Sequence, residues 1–140
     1  MNIINIKENL HDERILAVIS HSQYMPTKEK LNKLADEYEL NPDVFAFARY
    51  EDDTVSGIII LKRIKNEDFE IISIAVSPNF RKQGIASSLI SFALKNLKCA
   101  VLKAETDDDA VGFYRSFGFN IETLGEKYPG VVRYLCTLEP

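Results

Sequence analysis

Cysteine and histidine are scarce in this chain, two of each in 140 residues, and the scarcity narrows the chemistry before any motif is read. Cys99 and Cys136 both stand in apolar, strand-like runs, which suits free buried thiols of a reducing cytosol better than a disulfide or a metal ligand set. His11 and His21 lie ten residues apart with no Cys/His cluster around either, so no metal site is expected. No apolar run approaches the ~20 residues that a membrane span needs. The start of the chain alternates as Asn2-Ile-Ile-Asn-Ile-Lys7 and lacks a basic segment followed by an apolar one, so it reads as a strand and not as a signal peptide. Basic charge is also in short supply. The net charge of −4 argues against general nucleic-acid binding, which uses a basic face. A negative surface leans instead towards cationic partners such as amines. The expected setting is the cytoplasm, with neither a membrane nor a nucleic acid as partner.

Hydrophobic residues make up 46% of the chain and charged residues 27%, the balance of an ordinary globular protein. A chain of this length buries roughly 68–70% of its unfolded surface without covalent staples. No internal repeat, low-complexity tract or Gly/Ser linker interrupts it, so a single domain over residues 1–140 is expected.

Periodicity predicts the elements. Residues 2–7 read as a strand, and Leu10, Ile15, Val18 and Ile19 give an imperfect helical face from Glu8 to Ser20. After a break at residues 20–26, Thr27 is placed to cap a second helix whose face is Leu31, Leu34, Ala35 and Tyr38, ending before Asn41-Pro42. Strands at 44–50, 55–64 and 69–77 come next, joined by the tight reversals Glu51–Thr54 and Lys65–Asp68. A helix at about 82–96 leads to a strand at 99–105. Asp107-Asp-Asp109 then reads as an N-cap with an acidic first turn for a helix carrying Ala110, Phe113, Tyr114 and Phe117, stopped by Gly118. Strands at 119–124 and 131–138, around a loop from Gly125 to Gly130, complete the reading.

The most informative stretch is Ile71-Ile-Ser-Ile-Ala-Val-Ser-Pro-Asn-Phe-Arg-Lys-Gln-Gly-Ile-Ala86, a strand that turns through a basic segment into an amphipathic helix. A helix N-terminus offers unpaired N–H groups and the positive end of the macrodipole, which together attract anions. Arg81 and Lys82 add formal charge there, and Gly84, costly inside a helix by ~1 kcal/mol against Ala, suits a bare backbone that a phosphate approaches closely. The alternative is a plain turn and helix start with no ligand. Strand 69–77, helix 82–96 and strand 99–105 form a βαβ unit, so the two strands should be parallel and the crossover right-handed. Ligands bind beyond the C-terminal ends of such strands, where segments 77–86 and 106–114 converge.

Arg81-Lys-Gln-Gly84-Ile-Ala86 after a strand, and Ala110-Val-Gly-Phe-Tyr114 running to Phe117-Gly-Phe119, resemble in order and spacing the two signatures of the GNAT superfamily of acyl-CoA N-acyltransferases. The resemblance covers about residues 44–138; the first 43 match only in element type. It implies a mixed α/β (α+β) fold, with a mostly antiparallel seven-stranded sheet, a central parallel βαβ unit and about four helices. It implies acetyl-CoA or coenzyme A as the acyl-donor co-substrate. Backbone N–H groups of Gln83, Gly84, Ile85 and Ala86 would hold the pyrophosphate beside Arg81, with Lys82 and Ser87 flanking them. Ala75 and Val76 would pair with the pantetheine arm at a splay in the sheet, and Asp107 and Phe113 would complete the site. The family often has Asn where this chain has Asp107, which caps a helix equally well but cannot donate an amide hydrogen bond.

The implied reaction is direct acyl transfer to an amine in a ternary complex, with the oxyanion held by a backbone N–H near Val76. By the same resemblance Tyr114 protonates the leaving thiolate, for which a phenol near its ordinary pKa of ~10 is a usable donor. Read from the residues alone, Tyr114 is equally a core aromatic beside Phe113 and Phe117. Glu70 is the candidate base, or else an exposed carboxylate at a strand start, and His21 is its rival. Segment 20–26, the strand near 70–74 and the loop from Gly125 to Gly130 should set acceptor specificity, with Tyr24, Met25 and Tyr128 as either an apolar lid or ordinary packing. The acceptor is expected to be the primary amine of a small molecule, and the enzyme a possible homodimer. The competing reading is a non-catalytic acyl-CoA-binding or regulatory module.

Overall fold

Short polar turns fold the middle of the chain into neighbouring strands. Asp52 and Asn66 adopt left-handed backbone angles (φ 55° and 47°) in two-residue turns, a conformation that Asn and Asp tolerate better than most side chains. They join β2 (Val44–Glu51), β3 (Thr54–Lys65) and β4 (Asp68–Val76) into an antiparallel set. β1 (Asn2–Asn5) adds to the outer side of β2. On the other side lie β5 (Val101–Thr106), β7 (Val131–Leu138) and β6 (Asn120–Tyr128), so the seven-stranded sheet runs β1-β2-β3-β4-β5-β7-β6. Among the described residues only the contact between β4 and β5 is parallel, as the βαβ reading requires. The computed structural model describes residues 2–140.

Helices cover both faces of the sheet. α1 (Glu13–Ile19) and α2 (Lys28–Leu40) pack over a cluster that includes Ile6, Leu10, Ile15, Ala46, Ile58 and Ile60. α3 (Ile85–Leu97) and α4 (Val111–Phe117) lie on the other face over Phe47, Ile59, Leu61, Phe69, Leu89 and Leu102. α3 approaches the sheet closely at Gly57. A Cβ there would come within 2.9 Å of Ile85 Cγ2, 3.1 Å of Leu89 Cδ1 and 3.2 Å of the Ala75 carbonyl oxygen. The missing side chain is what lets the first turn of α3 seat against β3 and β4.

Several boundaries differ from the sequence expectations, each for a local reason. The first helix starts at Glu13 and not Glu8, because Asp12 takes the cap and accepts the Arg14 N–H at 2.8 Å; Lys7–Asn9 forms a separate 3-10 turn. α3 starts at Ile85 and not at 82, with Gly84 as its cap. The aspartates at 107–109 precede α4 and do not form its first turn. Asp107 Oδ1 accepts the N–H groups of Asp109 and Ala110, both at 3.1 Å, and Ala110 is the cap. The expected loop from Gly125 to Gly130 is mostly strand. β6 continues to Tyr128, with Gly125 (φ 80°) absorbed at a register shift, so only Pro129 and Gly130 form the turn.

α2 buries only Ala35 fully, packs Leu31, Leu34 and Tyr38 against the core, and adds polar restraints. Lys7 Nζ donates to the carbonyls of Asn41 (2.6 Å) and Val44 (2.5 Å) at its C-terminal end. On its flank, His11 Nε2 lies 2.8 Å from Asp36 Oδ1 and 3.6 Å from Glu39 Oε1, and Nδ1 lies 2.8 Å from Asn32 Oδ1. The Asn32 amide is oriented by its own donation to the Lys28 carbonyl at 3.0 Å, which leaves the oxygen facing the ring. Both ring nitrogens therefore face acceptors, and His11 satisfies both only as the imidazolium. The spacing of the two histidines held no sign of this grouping, because the carboxylates come from a different element. The Asn32 hydrogen bond, with Asp36 and Glu39, raises the His11 pKa above its ordinary 6.5. A raised value means the contribution is complete below the unfolded pKa and disappears as pH rises through the folded one. In thermal denaturation, the stability gap between the native protein and His11→Gln should be widest near about pH 6, below the unfolded pKa, and should shrink as pH rises above it. A gap that grows with pH would refute the charged pairing.

Candidate functional site

The site begins where β4 and β5 part. They pair at Asp68↔Val101, Phe69↔Leu102 and Glu70↔Lys103 and no further, although β4 runs on to Val76 and β5 to Thr106. β5 keeps its far side paired to β7 through Thr106↔Tyr134. β4 keeps its own to β3, with a bulge at Ile72: Ile60 opposes Ser73 while Leu61 opposes Ile71. The extra residue bends the strand and resets its alternation. Ile71, Ile74 and Val76 thus face α3, whereas Ile72 and Ala75 face α1. The Ser77 N–H donates to the Ser56 carbonyl at 2.8 Å, so the strand's alternating pattern turns the polar backbone groups of Val76 away from β3, towards the opening.

Beyond Val76 the chain makes a 3-10 turn at Pro78–Phe80 and enters the basic segment. Arg81 Nε lies 3.4 Å from the Val76 carbonyl oxygen, a long contact that lays the guanidinium along the strand end. Lys82 and Gly84 both adopt left-handed angles (φ 64° and 73°). Among the described residues no side chain caps α3, and the helix's first backbone bond is from the Ser88 N–H to the Gly84 carbonyl at 3.0 Å. The N–H groups of Ile85, Ala86 and Ser87 have no acceptor among the described residues. They open into a cavity of about 240 Å³ lined by Val76, Phe80, Arg81, Lys82, Gly84, Ile85, Ala86, Ser87 and Phe113. A Cβ on Gly84 would meet no protein atom within 4 Å. The left-handed angle, and not crowding by the protein, is thus what calls for glycine there. The space left bare faces outward, as a close-approaching anion requires.

The expected residues fall into two groups. Val76, Arg81, Lys82, Gly84, Ile85, Ala86, Ser87 and Phe113 come together around the cavity, and Gln83 lies between two of them without lining it. Ala75 packs on the opposite face of the sheet, in the cluster beneath α1. Asp107 lies against a separate cavity of about 240 Å³ between its own turn and the β6–β7 hairpin, with Asp108, Asp109, Gly130, Val131 and Val132. Phe80 lines the first cavity and was not foreseen. Its position next to Arg81, at the end of a Pro-Asn turn, was the available signal.

Tyr114 and Glu70 stand apart from the cavity. Tyr114 is 5% exposed, in edge contact with Phe113 (centroids 5.3 Å apart) and Phe119 (5.2 Å). Burial, and secondarily the Cys136 thiol, pushes its pKa up to about 12. The phenol holds its proton more tightly than a free one. Glu70 is half-buried at the vertex where the strands part, between Lys62 of β3 and Lys103 of β5 in register. His21 is exposed in the 3-10 turn Ser20–Ser22. Tyr24, Met25 and Tyr128 are exposed as well, so they are not ordinary core packing.

A parallel strand pair that opens beside an uncapped helix N-terminus makes an α/β site at a strand end whose free N–H groups suit an anion. The sequence model of the Acetyltransferase (GNAT) family matches residues 10–119, and the chain belongs to that family. No curated protein matches the sequence. Solved structures share the fold at low identity. A GNAT-family protein from Desulfovibrio desulfuricans is 20% identical, covering 99% of this chain and 98% of its own, with a TM-score of 0.79. A GNAT-family acetyltransferase from Elizabethkingia anophelis, solved with acetyl-CoA bound, is 20% identical over 99% of this chain and 97% of its own, with a TM-score of 0.71. A spermidine N-acetyltransferase from Vibrio cholerae is 16% identical over 99% and 95%, with a TM-score of 0.74.

Two glycines separate the backbone requirement from mere helix propensity. Gly84→Ala should lower stability by about 1–2 kcal/mol, because its angle is left-handed. Gly112→Ala lies within α4, where a Cβ meets nothing within 4 Å, and should raise stability by roughly 0.4–1 kcal/mol. Urea denaturation of both variants checks the pair; equal shifts would contradict the assignment.

Proposed function

We propose that residues 1–140 form a single N-acetyltransferase domain that moves an acetyl group from acetyl-CoA to the primary amine of a small molecule, by direct attack in a ternary complex. The observation that carries this reading is the uncapped N-terminus of α3 behind Gly84, facing a cavity that is continuous with the open edge of β4 at Val76. Free N–H groups, a helix dipole and the two cations Arg81 and Lys82 suit a pyrophosphate. Phe80, Ile85 and Phe113 supply the apolar wall beside it. The acetyl-CoA-bound neighbour from Elizabethkingia anophelis supports the same choice of donor.

Acetyl-CoA, when bound, would supply an activated thioester carbonyl and coenzyme A thiolate as the leaving group. The backbone N–H of Val76, free of the β3 ladder, is placed to donate to the oxygen that gains charge. Glu70, at the vertex of the opening, is the base that takes the proton from the amine, directly or through water. Tyr114 is the donor to sulfur. With its pKa at about 12 it surrenders the proton only as the sulfur becomes basic, and until then it supports that atom by a hydrogen bond. The spermidine N-acetyltransferase from Vibrio cholerae among the structural neighbours, and the acidic character of this chain, support a small cationic acceptor. The buried, reduced thiols suit the cytoplasm. β6, an edge strand with exposed side chains, leaves room for a homodimer.

One observation favours a second reading, a non-catalytic acyl-CoA-binding module: Tyr114 is buried among aromatics and does not line the cavity. Calorimetry with acetyl-CoA, and thiol release across a panel of primary amines, tests both. The enzyme reading expects micromolar binding and amine-stimulated release. Tyr114→Phe should cut turnover by about 100-fold or more while leaving acetyl-CoA affinity unchanged. Binding without stimulated release by any amine would favour the module. Unaltered affinity in Gly84→Val would remove the cradle from both readings.

A further inference from the structure

A hydroxyl in the middle of β4 is out of keeping with its surroundings. Ser73 is 5% exposed and lies in the run Ile71-Ile-Ser-Ile-Ala-Val76, where every other side chain is apolar. The bulge at Ile72 is what sets its direction. Without the extra residue, Ser73 would share a face with Ile71, against α3; with it, Ser73 turns to the α1 side. There its Oγ lies 2.6 Å from Ser22 Oγ, in the 3-10 turn after α1.

Counting protons assigns the bond a direction. Ser22 Oγ donates to the Ile19 carbonyl at 2.8 Å and accepts from Gln23 Nε2 at 3.1 Å. Its single proton is committed, so the proton between the two hydroxyls belongs to Ser73, which donates to Ser22. This bond fastens the segment after α1 to the stretch of β4 that has no β5 partner. The same segment carries His21, Tyr24 and Met25, all exposed, and Met25 is held at a left-handed φ of 46°. Gln23 joins the same turn through its side chain to Ser22 and its backbone N–H to the Ser20 carbonyl at 3.2 Å, and Tyr24 and Met25 follow it directly.

The cavity beside α3 lies on one face of the sheet, and Ser73 faces the other, where the segment after α1 lies against the stretch of β4 that has no β5 partner. We propose that Ser73 is a positioning residue for the amine acceptor. By donating to Ser22 it fixes the height of the segment Ser20–Met25 above the opening between β4 and β5, and so sets how the amine is presented. The role of the amine rests on the acetyltransferase reading; the tie itself does not.

The test uses Ser73→Ala and Ser73→Thr in the full chain, the latter keeping a donor hydroxyl. In hydrogen exchange on the protein alone, Ser73→Ala should accelerate exchange over residues 19–25 and Ser73→Thr should not. With the amine that gives the fastest thiol release in the panel, Ser73→Ala should raise the amine KM roughly tenfold. kcat and the acetyl-CoA KM should stay at native values, and Ser73→Thr should restore the amine KM. Unchanged exchange over 19–25 in Ser73→Ala would overturn the tie. Faster exchange with an unchanged amine KM, or with both substrates' KM values raised alike, would overturn the positioning role. Should no amine stimulate release, the acetyltransferase reading fails on that ground while the exchange result still decides whether Ser73 holds the segment.

Discussion

Everything distinctive about this molecule depends on one interruption: β4 and β5 hydrogen-bond over three residue pairs and then separate. A sheet gains from every ladder bond it closes and leaves buried backbone groups unpaired at a cost. An opening in the middle of a seven-stranded sheet therefore has to be held by its surroundings. The bulge at Ile72 bends β4, while the outer partners, β3 and β7, keep each strand anchored on its far side. α3 then presses the end of β4 from above, seated by the bare backbone of Gly57. Remove any of these restraints and the natural relaxation is closure of the ladder, with loss of the opening.

The two faces of the opening differ in character. On the α3 side the walls are apolar, and the polar elements are backbone: the N–H groups of Ile85, Ala86 and Ser87 and the groups of Val76. Charge enters through Arg81 and Lys82, which are exposed and concentrate positive potential at one end of an otherwise acidic protein. On the α1 side the features are side chains: Glu70 at the vertex and the paired hydroxyls of Ser22 and Ser73. A backbone cradle tolerates much sequence change provided its angles are kept, whereas a side-chain face changes with each substitution. That contrast fits a family in which the fold persists at 15–20% identity among solved structures.

Much of this was legible in the sequence, and the exceptions share a cause. α2 followed from the spacing of Leu31, Leu34, Ala35 and Tyr38, and the hairpins followed from Asp52 and Asn66, because period and turn chemistry are local properties. The basic segment before α3 was legible for the same reason. The bulge was not. In a run such as Ile71-Ile72, every side chain is apolar, so alternation carries no record of which face each takes. The direction of Ser73 depends wholly on that bulge. The burial of Tyr114 depends on Phe119, just after α4, and on Cys136, brought to it by β7. The extension of β6 through Gly125 ran against the reading of glycine as a loop signal, since cross-strand pairing to Arg133 outweighs the local preference. The order of the elements and the parallel pairing of β4 with β5 were legible, whereas helix starts, the bulge and the length of β6 were set by local caps and cross-strand partners that periodicity does not record.

A strand edge normally belongs at the border of a sheet, where proteins blunt it against unwanted pairing. This molecule carries two more in its interior, and blunts them by depth. The edges lie in the middle of a sheet that carries helices on both faces, beside the cavity at the N-terminus of α3. A peptide strand sends side chains to both faces and would strike the helices above and below. A slender chain with amide groups along it could pair with such an edge without sending side chains to either face.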